Sequence, residues 1–176
     1  MAKIKKVNKS YTDIYAVANL LKYVLNPEKQ ESGICGCGGL FLNNDMINVA
    51  RQIYDINFYY GKDQGTLVHH FIISYPYLEG QCTPQKMQFA LHQVLNMDLC
   101  GFPYVYALHE NTLHPHFHLI IGSVNIYTGM RYLDKNSTIM GIGQTLSANT
   151  VYFGTDGRKH HLQYDAVYDE KEQAVN

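Results

Sequence analysis

The chain has 176 residues, 46% hydrophobic and 16% charged, with a formal net charge of −1. That suits one folded domain with a real core and excludes global disorder. No apolar run reaches the roughly 18 residues of a membrane span, and the basic start MAKIKKVNKS lacks the apolar stretch of a secretory signal, so a cytoplasmic protein is expected.

The elements follow in chain order. Lys3 to Val7 reads as a short edge strand. Thr12 or Asp13 caps a helix running to Leu25, with Ile14, Val17, Ala18, Leu21, Val24 and Leu25 at helical spacing. Asn26-Pro27 stops it. Gly33 to Gly39 (GICGCGG) reads as a loop, and Asn44 to Tyr59 as a second helix. Gly61 to Gly65 is a polar turn. Leu67 to Tyr75 (LVHHFIISY) is β-branched and aromatic, hence a strand. Thr83-Pro84 opens a third helix that ends near Leu99. Phe102 to Leu108 and His116 to Val124 read as two further strands. Asp156-Gly157 marks a late hairpin turn, and the polar tail YDEKEQAVN is expected to fray. The resulting expectation is a single α+β domain over 1–176, with an antiparallel central sheet and helices mainly on one face.

The four cysteines, Cys35, Cys37, Cys82 and Cys100, form no CxxC and are expected to be reduced thiols. Tyrosine is unusually frequent, at 15 residues with no tryptophan. Tyrosines can stack on nucleic-acid bases or pack as half-buried strand residues.

The segment His109 to His118, HENTLHPHFH, carries the chemistry. Alternate strand residues share a face, so His116 and His118 point the same way. Phe117, Leu119 and Ile121 point the other way, into a core. His109 ends the preceding strand, and antiparallel pairing would bring it beside the other two. Three neutral imidazoles converging on one point make a metal site with open positions, as a catalytic metal needs. The same pattern also suits a surface strand with clustered histidines. Imidazole ligation is compatible with zinc, manganese, iron or nickel.

Tyr23 falls roughly opposite the centre of the first helix's apolar stripe, so it is not a core residue of that helix. A phenol is a weak nucleophile until a cation or metal favours its phenolate. On helix geometry alone, an ordinary amphipathic surface tyrosine is the favoured reading.

Three stretches together resemble the MobA/MobL-type relaxases of the HUH endonuclease superfamily. They are LLKYVLNPEKQ (Leu20 to Gln30), HHFIISY (His69 to Tyr75) and HENTLHPHFHLIIGSVNIYTGMRY (His109 to Tyr132). The resemblance covers about residues 10–135 and leaves 136–176 as a divergent extension. It implies that Tyr23 is the catalytic nucleophile and that His109, His116 and His118 hold Mg²⁺ or Mn²⁺. It further implies a relaxase that nicks single-stranded DNA at an origin of transfer by tyrosine transesterification, leaving a 5′-phosphotyrosine link, for mobilisation of a plasmid or integrative element. Relaxosome accessory proteins and a coupling protein would be its partners. Lys22, Lys29 and Arg131 are the leading DNA-contact candidates. Arg51 and Lys62 are also close to the motifs, and Glu28 and Glu110 are the nearest bases for Tyr23. Asn111 and Gly122 stand where many relatives have an acid and an asparagine. They motivate one alternative, a degenerate domain that binds DNA without cutting. A second alternative is an unrelated three-histidine metallohydrolase.

Overall fold

The computed structural model describes residues 2–75, 83–133, 135–153 and 158–167. The chain runs β1 (Ala2–Lys6), α1 (Ile14–Val24), β2 (Cys35–Gly38), α2 (Met46–Tyr59), β3 (Val68–Ser74), α3 (Pro84–Met97), β4 (Tyr104–His109), β5 (His116–Gly122), α4 (Asn136–Asn149), β6 (Val151–Phe153), β7 (Lys159–His161) and β8 (Tyr164–Val167). The six-stranded sheet has the order β2-β4-β5-β3-β1-β8. All its pairings are antiparallel except β1 with β8. The expected α+β class is therefore the observed one.

Local chemistry accounts for the helix ends. The Asp13 carboxylate accepts the Ala16 N–H at 2.8 Å and caps α1. Pro27 follows the helix and starts a short 3-10 turn, Pro27–Lys29. Asp45 caps α2, and Thr83 caps α3 ahead of Pro84.

Each face of the sheet carries its own core. Phe71, Ile73, Leu108, Phe117, Leu119 and Ile121 pack with Leu91 and Val94 of α3 and Ile142 and Leu146 of α4. Val68, Val105, Ala107 and Ile120 pack with Val17 and Leu21 of α1 and Val49 and Ile53 of α2. Helices thus cover both faces, a pair on each, where the sequence suggested mainly one. The reason is that β3, β4 and β5 also carry apolar residues, Val68, Val105, Ala107 and Ile120, on the second face, which therefore needs a cover.

Three expectations are corrected. The glycine-rich 33–39 segment contains a strand, β2, rather than being all loop. Its glycines face tyrosine rings across the pair: Gly36 lies opposite Tyr106 and Gly38 opposite Tyr104. A Cβ at Gly36 would meet the Tyr106 hydroxyl at 2.7 Å. That hydroxyl is fixed by Gln88 at 3.0 Å and His92 at 2.8 Å, so the ring cannot swing away freely. Gly36→Ala is expected to destabilise the fold by about 1–3 kcal/mol through this overpacking. Urea unfolding would measure it, and an unchanged midpoint would contradict the packing described.

The second correction is β1, which lies between β3 and β8 and is not an edge. The third is α4, which lies in the stretch that the sequence reads only as a divergent extension, where the glycines Gly141 and Gly143 conceal a helix. Its buried Ile139, Ile142 and Leu146 keep helical spacing despite them. Strands β6 and β7 pair antiparallel around the expected late hairpin. The turn itself and the 168–176 tail lie outside the described residues.

Candidate metal centre and adjoining tyrosine

The site is built at one end of the β4–β5 pair. His109 lies directly opposite His116, and His118 opposite Ala107. Strand alternation puts His116 and His118 on the face of Ile120, and His109 on the face of Val105 and Ala107. That is the face covered by α1 and α2. Phe117, Leu119 and Ile121 are buried on the opposite face, as the alternation required. The ring centroids of His109 and His118 are 4.3 Å apart, those of His116 and His118 4.9 Å, and those of His109 and His116 5.7 Å. One ligand nitrogen from each lies within 4.8 Å of the others, a grouping that can hold a metal ion.

The hydrogen bonds decide which nitrogens face the centre. His109 Nε2 donates to the Val24 carbonyl at 2.8 Å, which leaves Nδ1 with its lone pair. His116 Nδ1 donates to the His114 carbonyl at 2.9 Å, which leaves Nε2. His118 Nδ1 contacts His70 Nε2 at 2.7 Å. Its Nε2 is buried with no protein hydrogen-bond partner. An orphaned buried nitrogen among two other free ones is the arrangement a divalent ion would complete. The residues therefore fit the metal that the resemblance implied.

Burial favours the neutral form of His70, His109 and His118. Burial first, then His109, His70, His116 and Lys29, push the pKa of His118 down to about 2. Burial and His109 push His70 down to about 4. Burial also lowers His109, against the opposing effect of the Val24 carbonyl. In the unfolded chain a histidine titrates near 6.5. Above that pH the rings are neutral in both states. Below it the unfolded chain binds protons that the folded chain refuses, so stability falls as pH falls. Each unit costs about 1.4 kcal/mol per histidine until its folded value is reached. Urea unfolding of the metal-free chain is expected to weaken steadily from pH 6.5 to 4. A flat profile across that window would contradict the burial of neutral imidazoles.

Tyr23 sits on α1 beside this centre. It is 48% exposed, in keeping with its place off the apolar stripe. Its ring centroid is 5.6 Å from that of His109 and 5.4 Å from that of His118. The His109 bond to Val24 explains the proximity. It satisfies a carbonyl at the end of α1 and ties that end to the end of β4. Lys29 Nζ lies over the Tyr23 ring at 3.6 Å from its centroid, a cation–π contact that orients the ring. Glu110 holds Lys29 in place. Its N–H donates to the Lys29 carbonyl at 2.9 Å, and its carboxylate accepts from Ser32 N–H at 2.7 Å and Ser32 Oγ at 2.6 Å. Glu110 is thus occupied as an anchor of the 29–32 segment. A cavity of about 620 Å³ opens beside Tyr23 and His118, walled by Lys9, Tyr11, Leu20, His70 and Ile72. That volume admits a nucleotide-sized ligand.

The other candidate residues separate. Lys22 is exposed beside Tyr23 on α1, and Lys29 is at the site. Arg131 is not brought to it. Arg131 bridges to Val124, six residues beyond His118, roughly 20 Å at the rise of an extended chain. Its guanidinium donates to the Lys62 and Gln64 carbonyls at 2.9 and 2.8 Å and so pins a turn. Lys62 is likewise tied, to the Gly129 carbonyl. Tyr75 and Tyr132 are buried, and Tyr104 packs over Gly38, so these three serve packing. His70 was not singled out from the sequence. Its signal was the alternation in HHFIISY, which puts it on the face of Ile72. Its pairing partner required the sheet register.

The fold and site together define an α+β domain with a three-histidine centre, half-open at His116 and flanked by a tyrosine. Residues 23–147 match the relaxase family described as MobA/VirD2-like, nuclease domain. The match covers more than half of the chain, and the chain belongs to this family. The matched span starts at Tyr23 and reaches into α4, further than the 10–135 span of the resemblance. No curated protein and no solved structure matches the chain.

Proposed function

We propose that this chain is a relaxase that nicks single-stranded DNA at an origin of transfer through Tyr23, for mobilisation of a plasmid or integrative element. The observation that carries the reading is the contact of the Tyr23 ring with His109 and His118, two members of the histidine cluster. His109, His116 and His118 would hold Mg²⁺ or Mn²⁺, which when bound supplies charge to polarise a non-bridging oxygen of the scissile phosphate. Tyr23 Oη attacks phosphorus, the bond to the 3′ oxygen breaks, and the phenolic proton passes to solvent. The departing 3′ oxygen takes up a proton. The product is a 5′-phosphotyrosine and a free 3′-hydroxyl, and the retained phosphodiester energy lets the strand be rejoined. Three neutral histidines add no negative charge to oppose an approaching phosphate. Lys29 orients the attacking ring, and Lys22 and Lys29 offer the nearest cations to the DNA backbone. Accessory relaxosome proteins and a coupling protein are the partners such a reaction would use, in the cytoplasm. Family membership sets aside the unrelated metallohydrolase.

The test is to locate the covalent link. Trypsin cuts after Lys22 and Lys29, so the peptide YVLNPEK isolates Tyr23. Mass spectrometry of a nuclease-trimmed DNA adduct is expected to place the nucleotide on that peptide. A nucleotide on another tyrosine, such as Tyr11 or Tyr15, would overturn the assignment. DNA retention with no covalent product in any metal would favour the binding-only alternative.

A further inference from the structure

We propose that His70 is a positioning residue of the metal centre: it accepts the Nδ1 proton of His118 and so holds that ring with Nε2 free for the ion. The proposal rests on the metal reading above. Two of the three cluster histidines are oriented by main-chain carbonyls, those of Val24 and His114. His118, the ring with the orphaned Nε2, is the exception. Its other nitrogen meets a side chain, His70 Nε2, at 2.7 Å.

Only one proton can lie between those two nitrogens. If His70 donated it, His118 would carry its own proton on Nε2. That would be a buried donor with no acceptor, placed where the ion must bind. If His118 donates, Nε2 keeps its lone pair and His70 carries its proton on Nδ1. An acceptor for that second proton is in place, because Tyr11 Oη lies 3.4 Å from His70 Nδ1. His70 and Tyr11 are both buried, at 5% and 4% exposure, along one wall of the cavity beside Tyr23. Strand β3 sets the distance: its pairing with β5 puts His70 opposite Ile120, two residues from His118 on the same face.

Calorimetric titration with Mn²⁺ alone, on the whole chain, separates positioning from packing. His70→Leu keeps the apolar volume and removes the acceptor. It is expected to weaken Mn²⁺ binding about 10- to 100-fold. His70→Gln places an amide oxygen near the former Nε2 and is expected to restore binding to within a few-fold of the natural chain. Equal weakening in both variants, or none in His70→Leu, would overturn the proposal. Nitrogen NMR of the unaltered metal-free chain covers the case in which His70→Leu does not fold. Coupling between the two ring nitrogens, with the proton on His118 Nδ1, would support the proposal. The proton on His70 Nε2 would overturn it. If the unaltered chain bound no Mn²⁺, the metal reading would fail first, and this proposal with it.

Discussion

Tyr23→Phe is expected to abolish covalent capture of DNA, lowering the rate of adduct formation by about 10³-fold or more. The substitution removes one oxygen and little else. A phenylalanine ring keeps the edge contacts with His109 and His118 and stays beneath Lys29. Nothing in the fold depends on burying the hydroxyl, since the residue is 48% exposed. Mn²⁺ affinity and unfolding midpoint should therefore match those of the natural chain. That contrast gives the test its power, because a general loss of structure would move all three. Adduct formation at the unaltered rate would remove Tyr23 as the nucleophile.

His118→Ala is expected to have the largest effect on the metal, lowering Mn²⁺ affinity by about 10²-fold or more. His118 touches every part of the site. Its ring lies 4.3 Å from His109, 4.9 Å from His116, 5.0 Å from His70 and 5.4 Å from Tyr23, centroid to centroid. Thermal unfolding offers a simple reading. An ion at 100 times its dissociation constant stabilises a protein by about 2.7 kcal/mol. For a chain of this size that is a rise of roughly 5–10 °C. The natural chain should show that rise and His118→Ala should show almost none at the same Mn²⁺ concentration. An equal rise in both would mean that the ion binds elsewhere.

The geometry of the candidate site was largely legible in the sequence because it is local. The two-residue spacing of His116 and His118 fixes their shared face by strand geometry alone. The place of Tyr23 opposite the α1 stripe follows from helical periodicity. His109 needed one inference, antiparallel pairing of neighbouring strands, and the register His109 to His116 bears it out. What stayed hidden depends on contacts between distant segments. Strand β2 reads as a glycine loop until Tyr104 and Tyr106 are seen to need room beside Gly38 and Gly36. Helix α4 carries two glycines, and its apolar positions make sense only against β1 and β8 and the neighbouring α3. His70 looks like any strand histidine until β3 is laid beside β5. Arg131 lies near the motif in the chain but at the far end of β5 in space, where its carbonyl bonds give it a structural role. Glu110 adjoins His109 in sequence, yet its carboxylate is taken by Ser32.

Covalent capture tests the central claim most directly. The protein is incubated with a random single-stranded DNA pool and Mn²⁺, denatured, and compared with Tyr23→Phe and with a sample containing EDTA. The expected result is a DNA-shifted band from the natural chain alone, and sequencing the trapped strands would give the nicking site. A shifted band of equal strength from Tyr23→Phe, or no band from a natural chain that still binds Mn²⁺ and retains DNA, would contradict a tyrosine transesterase.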